Sequence, residues 1–268
     1  MSFLTIIKSN VPTLIEEVHF RTGEFFEKVV NCPETALYHY EKAIAIKRNY
    51  AEAHYRIAKI KEFQGDIKGA SDSLNYAFWN SQKDNPIIRE NIVAYYRKFY
   101  YKRKRDLEVL IKNHKATAEE MVEFAYILTE KFGEYKLARK YLEQATNQIN
   151  APENVFFNSA SLAQENFDEK TGHKYALKGV ELFPESCLLN WIAGEHYEFI
   201  DDYKTAVVYY QKALSIDSEL GLFLYGHMAG IYQYQLKMPE ESKRYADLAL
   251  EMNEKEKLSR NANTNEKH

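Results

Sequence analysis

Apolar and small residues along the chain fall into pairs of short helical stripes with polar positions between them. The clearest pair lies in 187–217, where residues spaced i, i+3 and i+4 share one face of each predicted helix. The positions that form it are Ala193, Gly194, Tyr197, Ala206, Tyr210 and Ala213. The polar pair Asp201 and Asp202 separates the two stripes and is typical of a short turn. The pattern therefore predicts two antiparallel helices in contact.

The same pattern recurs at a nearly constant interval. The residue that opens each second helix is found at Ala36, Ala70, Lys104, Ala138, Gly172, Ala206 and Ser242. Successive positions are 34 residues apart, except for a last interval of 36. A register held over this length predicts an array of repeated hairpins.

This arrangement resembles the tetratricopeptide repeat family, whose pattern is W-x2-L-G-x2-Y, then A-x3-F and a closing proline. Asn190 occupies the family's Trp position, and Trp191 follows it. The resemblance implies an all-α, right-handed solenoid of about seven helical hairpins. We expect it to span 1–250, followed by a polar tail at 251–268. The predicted units begin near residues 17, 51, 85, 119, 153, 187 and 223.

Two units depart from the pattern. In the third unit Lys104 replaces the small residue, so the register within IVAYYRKFYYKRKRD is expected to slip. In the fourth, Tyr126 stands where a small residue is usual, which predicts a one-residue irregularity. The fourth unit also begins with a capping-box pattern, Thr117 with Glu120 three residues later.

Composition and charge narrow the classes of function. The formal net charge is −3, which gives no general attraction for nucleic acid or an anionic membrane. Cys32 and Cys187 lie too many repeats apart to bridge and are interpreted as free thiols in a reducing compartment. No stretch has the length of a transmembrane helix, so a cytoplasmic location is expected.

Motifs for catalysis and for metal binding are missing from the sequence. It contains no GxxxxGK[ST], HExxH, CxxC or GxSxG pattern, and no two histidines are spaced i+3 or i+4. We therefore expect a protein that is not an enzyme, with no cofactor and no metal.

The remaining candidate is a surface formed by the first helices of the hairpins. In each unit, positions 2, 5, 6, 9, 12 and 13 project away from the hairpin contact. In the resembled family this face lines a concave groove that binds peptides or partner helices. Its aromatic residues here are Phe25, Tyr55, Phe63, Tyr96, Phe124, Phe157, Trp191, Phe199 and Tyr234. An aromatic stripe either packs between neighbouring helices or forms a contact surface, and Trp191 is the preferred anchor.

Charge along this face changes sign between the two halves of the sequence. The predicted basic half holds Arg21, Arg56, Lys59 and Arg89, and the predicted acidic half holds Glu123, Glu195 and Glu198. A ligand segment would then lie with its acidic end over the first group and its basic end over the second. Chance also explains such an asymmetry.

The leading hypothesis is a scaffold or adaptor that binds a protein or peptide segment in the groove. Chaperone C-terminal tails are not expected, because positions 5 and 9 do not carry the family's carboxylate clamp: they hold Phe157 and Ser161 in one unit and Trp191 and Glu195 in the next. The alternative is single-stranded nucleic-acid or regulatory binding through the basic, aromatic stretch 95–105. A third class is an enzyme or sensor regulator with a repeat shell, but the repeats account for residues 11–250 and leave no room for a catalytic domain. Self-association as a homodimer through the groove remains open.

Overall fold

The computed structural model describes residues 15–83, 85–166 and 169–265, and the ordered elements in these ranges are helices. They follow one another along the chain as α1 (15–25), continued by a π-helical stretch at Phe26–Val30, α2 (Pro33–Ile46), α3 (Ala51–Phe63), α4 (Ile67–Asn80), α5 (Pro86–Lys112), α6 (Ala118–Phe132), α7 (Tyr135–Thr146), α8 (Glu153–Asn166), α9 (Glu169–Leu182), α10 (Cys187–Phe199), α11 (Tyr203–Ile216), α12 (Gly221–Gly230), continued by a π-helical stretch at Ile231–Gln235, and α13 (Pro239–Asn265). The all-α repeat architecture predicted from the sequence is confirmed.

Small residues set the hairpin register, as the sequence predicts. Among the described helices, α2, α4, α7, α9, α11 and α13 each begin three residues before the position aligned as the opening of a second helix. Ala36, Ala70, Ala138 and Ala206 at these positions are fully buried. An alanine there lets the two helix axes approach closely, and the apolar faces then remove each other from water.

Side-chain caps begin several helices. The Thr117 hydroxyl accepts a hydrogen bond from the Glu120 backbone N–H, while the Glu120 carboxylate accepts one from the Thr117 N–H, so the predicted capping box is present. Ser186 caps α10 and Asp202 caps α11 in the simpler one-bond form. These bonds satisfy backbone donors that have no partner inside the helix.

The chain divides into two compact units, and the boundary between Arg103 and Lys104 lies within α5. The first unit, unit A, contains α1 to α4 and the start of α5. The second, unit B, contains the last turns of α5 and all helices from α6 to α13. Each unit has its own buried clusters, centred on Tyr40 in unit A and on Tyr210 in unit B.

The hairpin expected in the third predicted unit is absent, because α5 is one continuous helix of 27 residues. The other hairpins turn at Gly, Asp, Asn or Pro, whereas the sequence 98–104, KFYYKRK, contains none of them. A chain without a breaker continues its helix. The residue aligned as a small contact position, Lys104, instead forms ion pairs with Glu108 and Glu134.

The fourth predicted unit is shifted by one residue. Helix α6 starts at Ala118, so the fully buried Ala125 takes the small-residue position. Tyr126 then turns outward and Phe124 turns inward, where it is 1% exposed and meets the Tyr141 ring edge to face at 5.0 Å. The prediction that Phe124 lies on the outer face is wrong, because the shifted register makes it a core residue.

The predicted boundary at residue 250 is not a helix end. Helix α13 continues to Asn265, although most side chains described after 250 are exposed, as a solvated helix end requires.

Cys32 and Cys187 are both free. No helix within the described ranges is long and apolar enough to cross a membrane. In the same ranges, no three His, Cys, Asp or Glu side chains are placed to hold a metal ion together.

Candidate functional site

The surface formed by the first helices, called the first-helix surface here, consists in unit A of the outward faces of α1, α3 and the start of α5. Arg56 of α3 is at its centre. Its guanidinium lies 3.3 Å from Glu24, 3.5 Å from Glu27 and 3.6 Å from Glu52, and its side chain is only 15% exposed. Three carboxylates therefore neutralise Arg56 within the unit.

The neighbouring cations of unit A are also paired. Arg21 lies 2.8 Å from Glu17 and 2.6 Å from Glu24, and Lys59 lies 4.0 Å from Glu27. Three of the four cations predicted for the basic half of the groove are therefore paired internally, while the fourth, Arg89, is exposed at the start of α5.

A register error explains why the sequence suggested a basic surface. When the first predicted repeat is counted from residue 17, Glu24 and Glu27 fall at positions 8 and 11, which face the hairpin contact. In the structure Gly23 faces the Tyr40 ring, just as Gly194 faces Tyr210. Aligning the two glycines moves Glu24 and Glu27 onto the outer face, where they oppose the cations.

The aromatic residues predicted in unit A have different environments. Tyr55 is half-buried and meets the Tyr95 ring edge to face at 5.4 Å, and Tyr96 stacks on Phe78 at 4.2 Å. Phe25 is 52% exposed beside Arg21 in a shallow hollow of α1. A separate hollow at the start of α5 is lined by Gln82, Pro86, Arg89, Glu90, Val93, Ala94 and Arg97. Tyr55 and Tyr96 therefore pack against other rings, whereas Phe25 and also Phe63, which is 84% exposed, remain accessible.

The first-helix surface of unit B contains a cleft of about 240 Å³ between α8 and α10. Its walls are Phe157, Ser161, Gln164 and Glu165 of α8 and Trp191, Ile192 and Glu195 of α10. Trp191 is half-buried and also packs against the core cluster around Tyr210. One part of the indole is thus fixed by the core while another lines the cleft.

Glu195 and Glu198, one turn apart on α10, have different partners. Burial raises the pKa of the Glu195 carboxyl, and nearby His227 and the Trp191 indole act against that rise. Glu198 accepts hydrogen bonds from the Tyr210 hydroxyl at 2.9 Å and from His227 Nε2 at 2.7 Å. These bonds lower the pKa of Glu198, and its bond to His227 raises the pKa of the imidazole.

The other predicted site residues of unit B lie apart from the cleft lining. Phe199 is 58% exposed at the end of α10, and Tyr234 is 69% exposed in the π-helical stretch after α12. Glu123 on α6 is half-buried. Phe124, as described above, belongs to the core.

One arrangement that the sequence reading missed occurs in both units. Gly23 and Gly194 each admit a tyrosine ring of the second helix, and that tyrosine donates its hydroxyl to a glutamate four residues after the glycine. The glutamate pairs with a cationic side chain of the next first helix. The four residues are Gly23, Glu27, Tyr40 and Arg56 in unit A and Gly194, Glu198, Tyr210 and His227 in unit B. In the sequence, the Gly-x-x-x-Glu spacing found at both places is the signal that indicates this arrangement.

A sequence profile described as tetratricopeptide repeat matches residues 190–220, which cover most of α10 and all of α11. Residues 190–220 thus match one tetratricopeptide repeat. No curated protein matches its sequence.

Solved structures align with this chain at low sequence identity. MamA aligns with a TM-score of 0.50 at 16% identity, over 75% of this chain and 96% of the MamA chain. The C-terminal part of a TPR repeat-containing protein from Cytophaga hutchinsonii aligns with a TM-score of 0.46 at 17% identity, over 87% and 78% of the two chains. PilF of Pseudomonas aeruginosa aligns with a TM-score of 0.40 at 15% identity, over 87% and 90%. At 16% identity the likeness to MamA concerns the fold alone.

The basic stretch 95–105 offers one well-exposed ring for stacking bases, Tyr101, which is 65% exposed. Phe99 and Tyr100 are buried, with exposures of 5% and 3%. The Lys104 ammonium is 3.3 Å from Glu134, so part of the positive charge is already neutralised. Nucleic-acid binding needs accessible rings and available cations together. The geometry of this stretch therefore disfavours that alternative.

Proposed function

We propose that the protein is a non-enzymatic interaction scaffold that binds a protein or peptide segment on the first-helix surface of unit B. The observation that carries the proposal is the position of Trp191, half in the core and half in the α8–α10 cleft. Large aromatic side chains that are fixed before binding lose little conformational entropy on contact and commonly dominate binding energy.

The cleft suits one side chain of a longer segment better than a free small molecule. Its volume of about 240 Å³ is below the several hundred Å³ typical of ligand pockets. An extended or helical segment could place one residue in the cleft and continue along α8 and α10. Exposed rings such as Phe199 would supply additional contact area.

The proposal is tested by selecting peptides from a phage-displayed random dodecapeptide library on the purified full-length protein. Selected peptides are then measured against wild type, Trp191→Ala and Trp79→Ala. Trp79 is a matched control, because it is the only other tryptophan and lies 64% exposed on α4 of unit A. We expect Trp191→Ala to weaken binding by about 2 kcal/mol and Trp79→Ala to change it little.

Two results would contradict the proposal. Either the library yields no peptide whose binding depends on Trp191, or both tryptophan variants bind like wild type. Self-association through the same surface is a separate outcome. Sedimentation of the wild-type protein would then show a dimer that Trp191→Ala dissociates.

A further inference from the structure

We infer that the α8–α10 cleft of unit B receives a cationic side chain, arginine or lysine, from the bound segment. This inference rests on the proposed function and specifies the chemistry of the ligand. It follows from three features of the cleft: two aromatic walls, two carboxylates, and the lack of an internal partner for those carboxylates.

The aromatic walls favour a cation over an anion. Phe157 comes from α8 and Trp191 from α10, so the two rings line the cleft from neighbouring helices. The face of an aromatic ring carries partial negative charge and attracts guanidinium or ammonium groups, most strongly when the ring is indole. The methylene stem of a long cationic side chain would also bury apolar surface between the rings.

The carboxylates add charge of the same sign. Glu165 and Glu195 both line the cleft, and neither forms an ion pair with a cation in the part of the chain that the structure describes. The nearest titratable base on the α12 side, His227, donates its hydrogen bond to Glu198 instead. His227 stands where Arg56 stands in unit A, but Arg56 reaches both Glu24 and Glu27, whereas His227 pairs with Glu198 and forms no ion pair with Glu195.

Glu195 is half-buried before a ligand arrives. Its burial and the nearby charge of Glu198 raise the pKa of its carboxyl, while the charge of His227 and the Trp191 indole oppose that shift. A carboxylate in this environment gains more from a cationic ligand than an exposed one, because less water screens the pair. A guanidinium has several N–H donors in one plane, and it could bond Glu195 while leaving others for Glu165 or Gln164.

The test uses the dodecapeptides selected above. The inference predicts that they carry a recurrent arginine or lysine. Each arginine peptide is resynthesised with citrulline, which keeps the shape and removes the charge. Binding of both forms is measured against wild type, Glu195→Gln, Glu165→Gln and Glu181→Gln. Glu181 is the control because it is an exposed glutamate on α9 outside the cleft lining.

We expect citrulline to weaken binding to wild type about tenfold or more, since a charge-assisted hydrogen bond and the ion pair are lost together. Glu195→Gln should weaken the arginine peptide to a similar degree and leave the citrulline peptide nearly unchanged. Glu165→Gln should have a smaller effect, and Glu181→Gln none.

Three outcomes would overturn the inference. They are selected peptides without a recurrent cation, equal binding of the arginine and citrulline forms to wild type, and a charge effect that persists in full in Glu195→Gln. In each case Trp191-dependent binding of the peptides would leave the scaffold proposal standing. Loss of Trp191 dependence would instead refute that proposal, so the two failures are distinguishable.

Discussion

Arg56 in unit A and His227 in unit B occupy equivalent places, yet the first-helix surfaces around them differ in how far their charges are neutralised. Each pairs with the glutamate that follows a tyrosine-accepting glycine by four residues, Glu27 in one case and Glu198 in the other. Arg56 reaches three carboxylates and is largely buried, whereas His227 reaches one and is 48% exposed. A long cation thus neutralises its neighbours in unit A, and a short one cannot do so in unit B.

The difference accounts for where a ligand could bind. In unit A, position 9 of the helix is Lys59, which lies near Glu27 of the adjacent helix and over the Tyr55 ring. In unit B the same position is Glu195, whose neighbour across the cleft is another glutamate, Glu165. The α1–α3 part of unit A therefore satisfies its charges internally, and the α8–α10 cleft of unit B leaves acidic groups available to a partner.

The largest effect is expected from removing the central cation of unit A. Arg56→Leu leaves Glu24, Glu27 and Glu52 close together without a counter-charge, which should cost about 3 kcal/mol or more of stability. Hydrogen exchange at α3 amides would measure the loss. Lys59→Leu is the control, because its 4.0 Å contact and 38% exposure predict a change below about 1 kcal/mol. Equal losses in the two variants would contradict the assigned role of Arg56.

Acid should lower the stability of unit B through a second histidine. His196 of α10 stands at the register position of Ile60 in α3 and is 1% exposed. Burial lowers its pKa to about 4, from an ordinary value of 6.5, and nearby His173 adds to the effect. The His196 imidazole is therefore protonated below pH 6.5 in the unfolded chain, whereas in the folded chain it stays neutral down to about pH 4. Stability of unit B should fall by about 3 kcal/mol between pH 8 and pH 4 from this group.

Replacing the imidazole tests that origin of the pH dependence. His196→Ile copies unit A, and its hydrogen exchange at α10 should vary less with pH than in wild type, whatever its stability at pH 8. An unchanged dependence between pH 6.5 and 4 would assign the effect to other groups.

The tyrosine-accepting glycines should tolerate no side chain. A Cβ at Gly194 would lie 2.5 Å from the Tyr210 ring, and one at Gly23 would lie 2.7 Å from the Tyr40 ring. Alanine at either position should cost about 1–3 kcal/mol through overpacking, which thermal or denaturant unfolding can measure. Gly226→Ala on α12 is the control: nothing lies within 4 Å of its Cβ position, so the helix should gain stability slightly. Destabilisation by Gly226→Ala of the same size would refute the steric explanation.

The smallest effect concerns the titratable partner of Glu198. The bond to Glu198 raises the pKa of His227, so its contribution is fully present below pH 6.5 and disappears as the pH rises through the raised pKa. Exposure screens the pair, and the loss should amount to about a few tenths of a kcal/mol. His227→Arg, which copies Arg56, should keep the contribution at pH 9. The His196 effect is common to wild type and His227→Arg, so a difference between the two in α12 hydrogen exchange that does not grow from pH 6 to pH 9 would contradict this sign.

Much of the fold follows from single residues in the sequence. The recurring alanines and glycines locate the second helices, and the lack of a turn residue in KFYYKRK is a visible reason for the continuous α5. A register error of one residue is harder to detect from the sequence. Each residue along a helix turns the side-chain direction by about 100°, so such an error assigns residues to the wrong face. One such error misplaced Phe124, and another hid Glu24 and Glu27 from the outer face of unit A.

The candidate site depends on contacts that a helical pattern does not contain. The helical pattern predicts that Phe157, Trp191 and Glu195 project outward. It predicts the same for Tyr55, Arg56 and Lys59, so it does not distinguish the two surfaces. Whether an outward charge is neutralised depends on the length and position of side chains on the adjacent helix. Glu27 reaches Arg56, whereas Ser161 and Glu165 leave a cleft in front of Glu195.

The two tryptophans, one in each unit, allow the most direct test of this contrast. The indole ¹H–¹⁵N signals of Trp79 and Trp191 can be followed by NMR while a selected arginine peptide is added. The account predicts that the Trp191 signal shifts to saturation, that the Trp79 signal stays in place, and that the citrulline form shifts Trp191 only at much higher concentration. A shift of Trp79 without Trp191, or identical titrations of Trp191 by the two peptides, would contradict it.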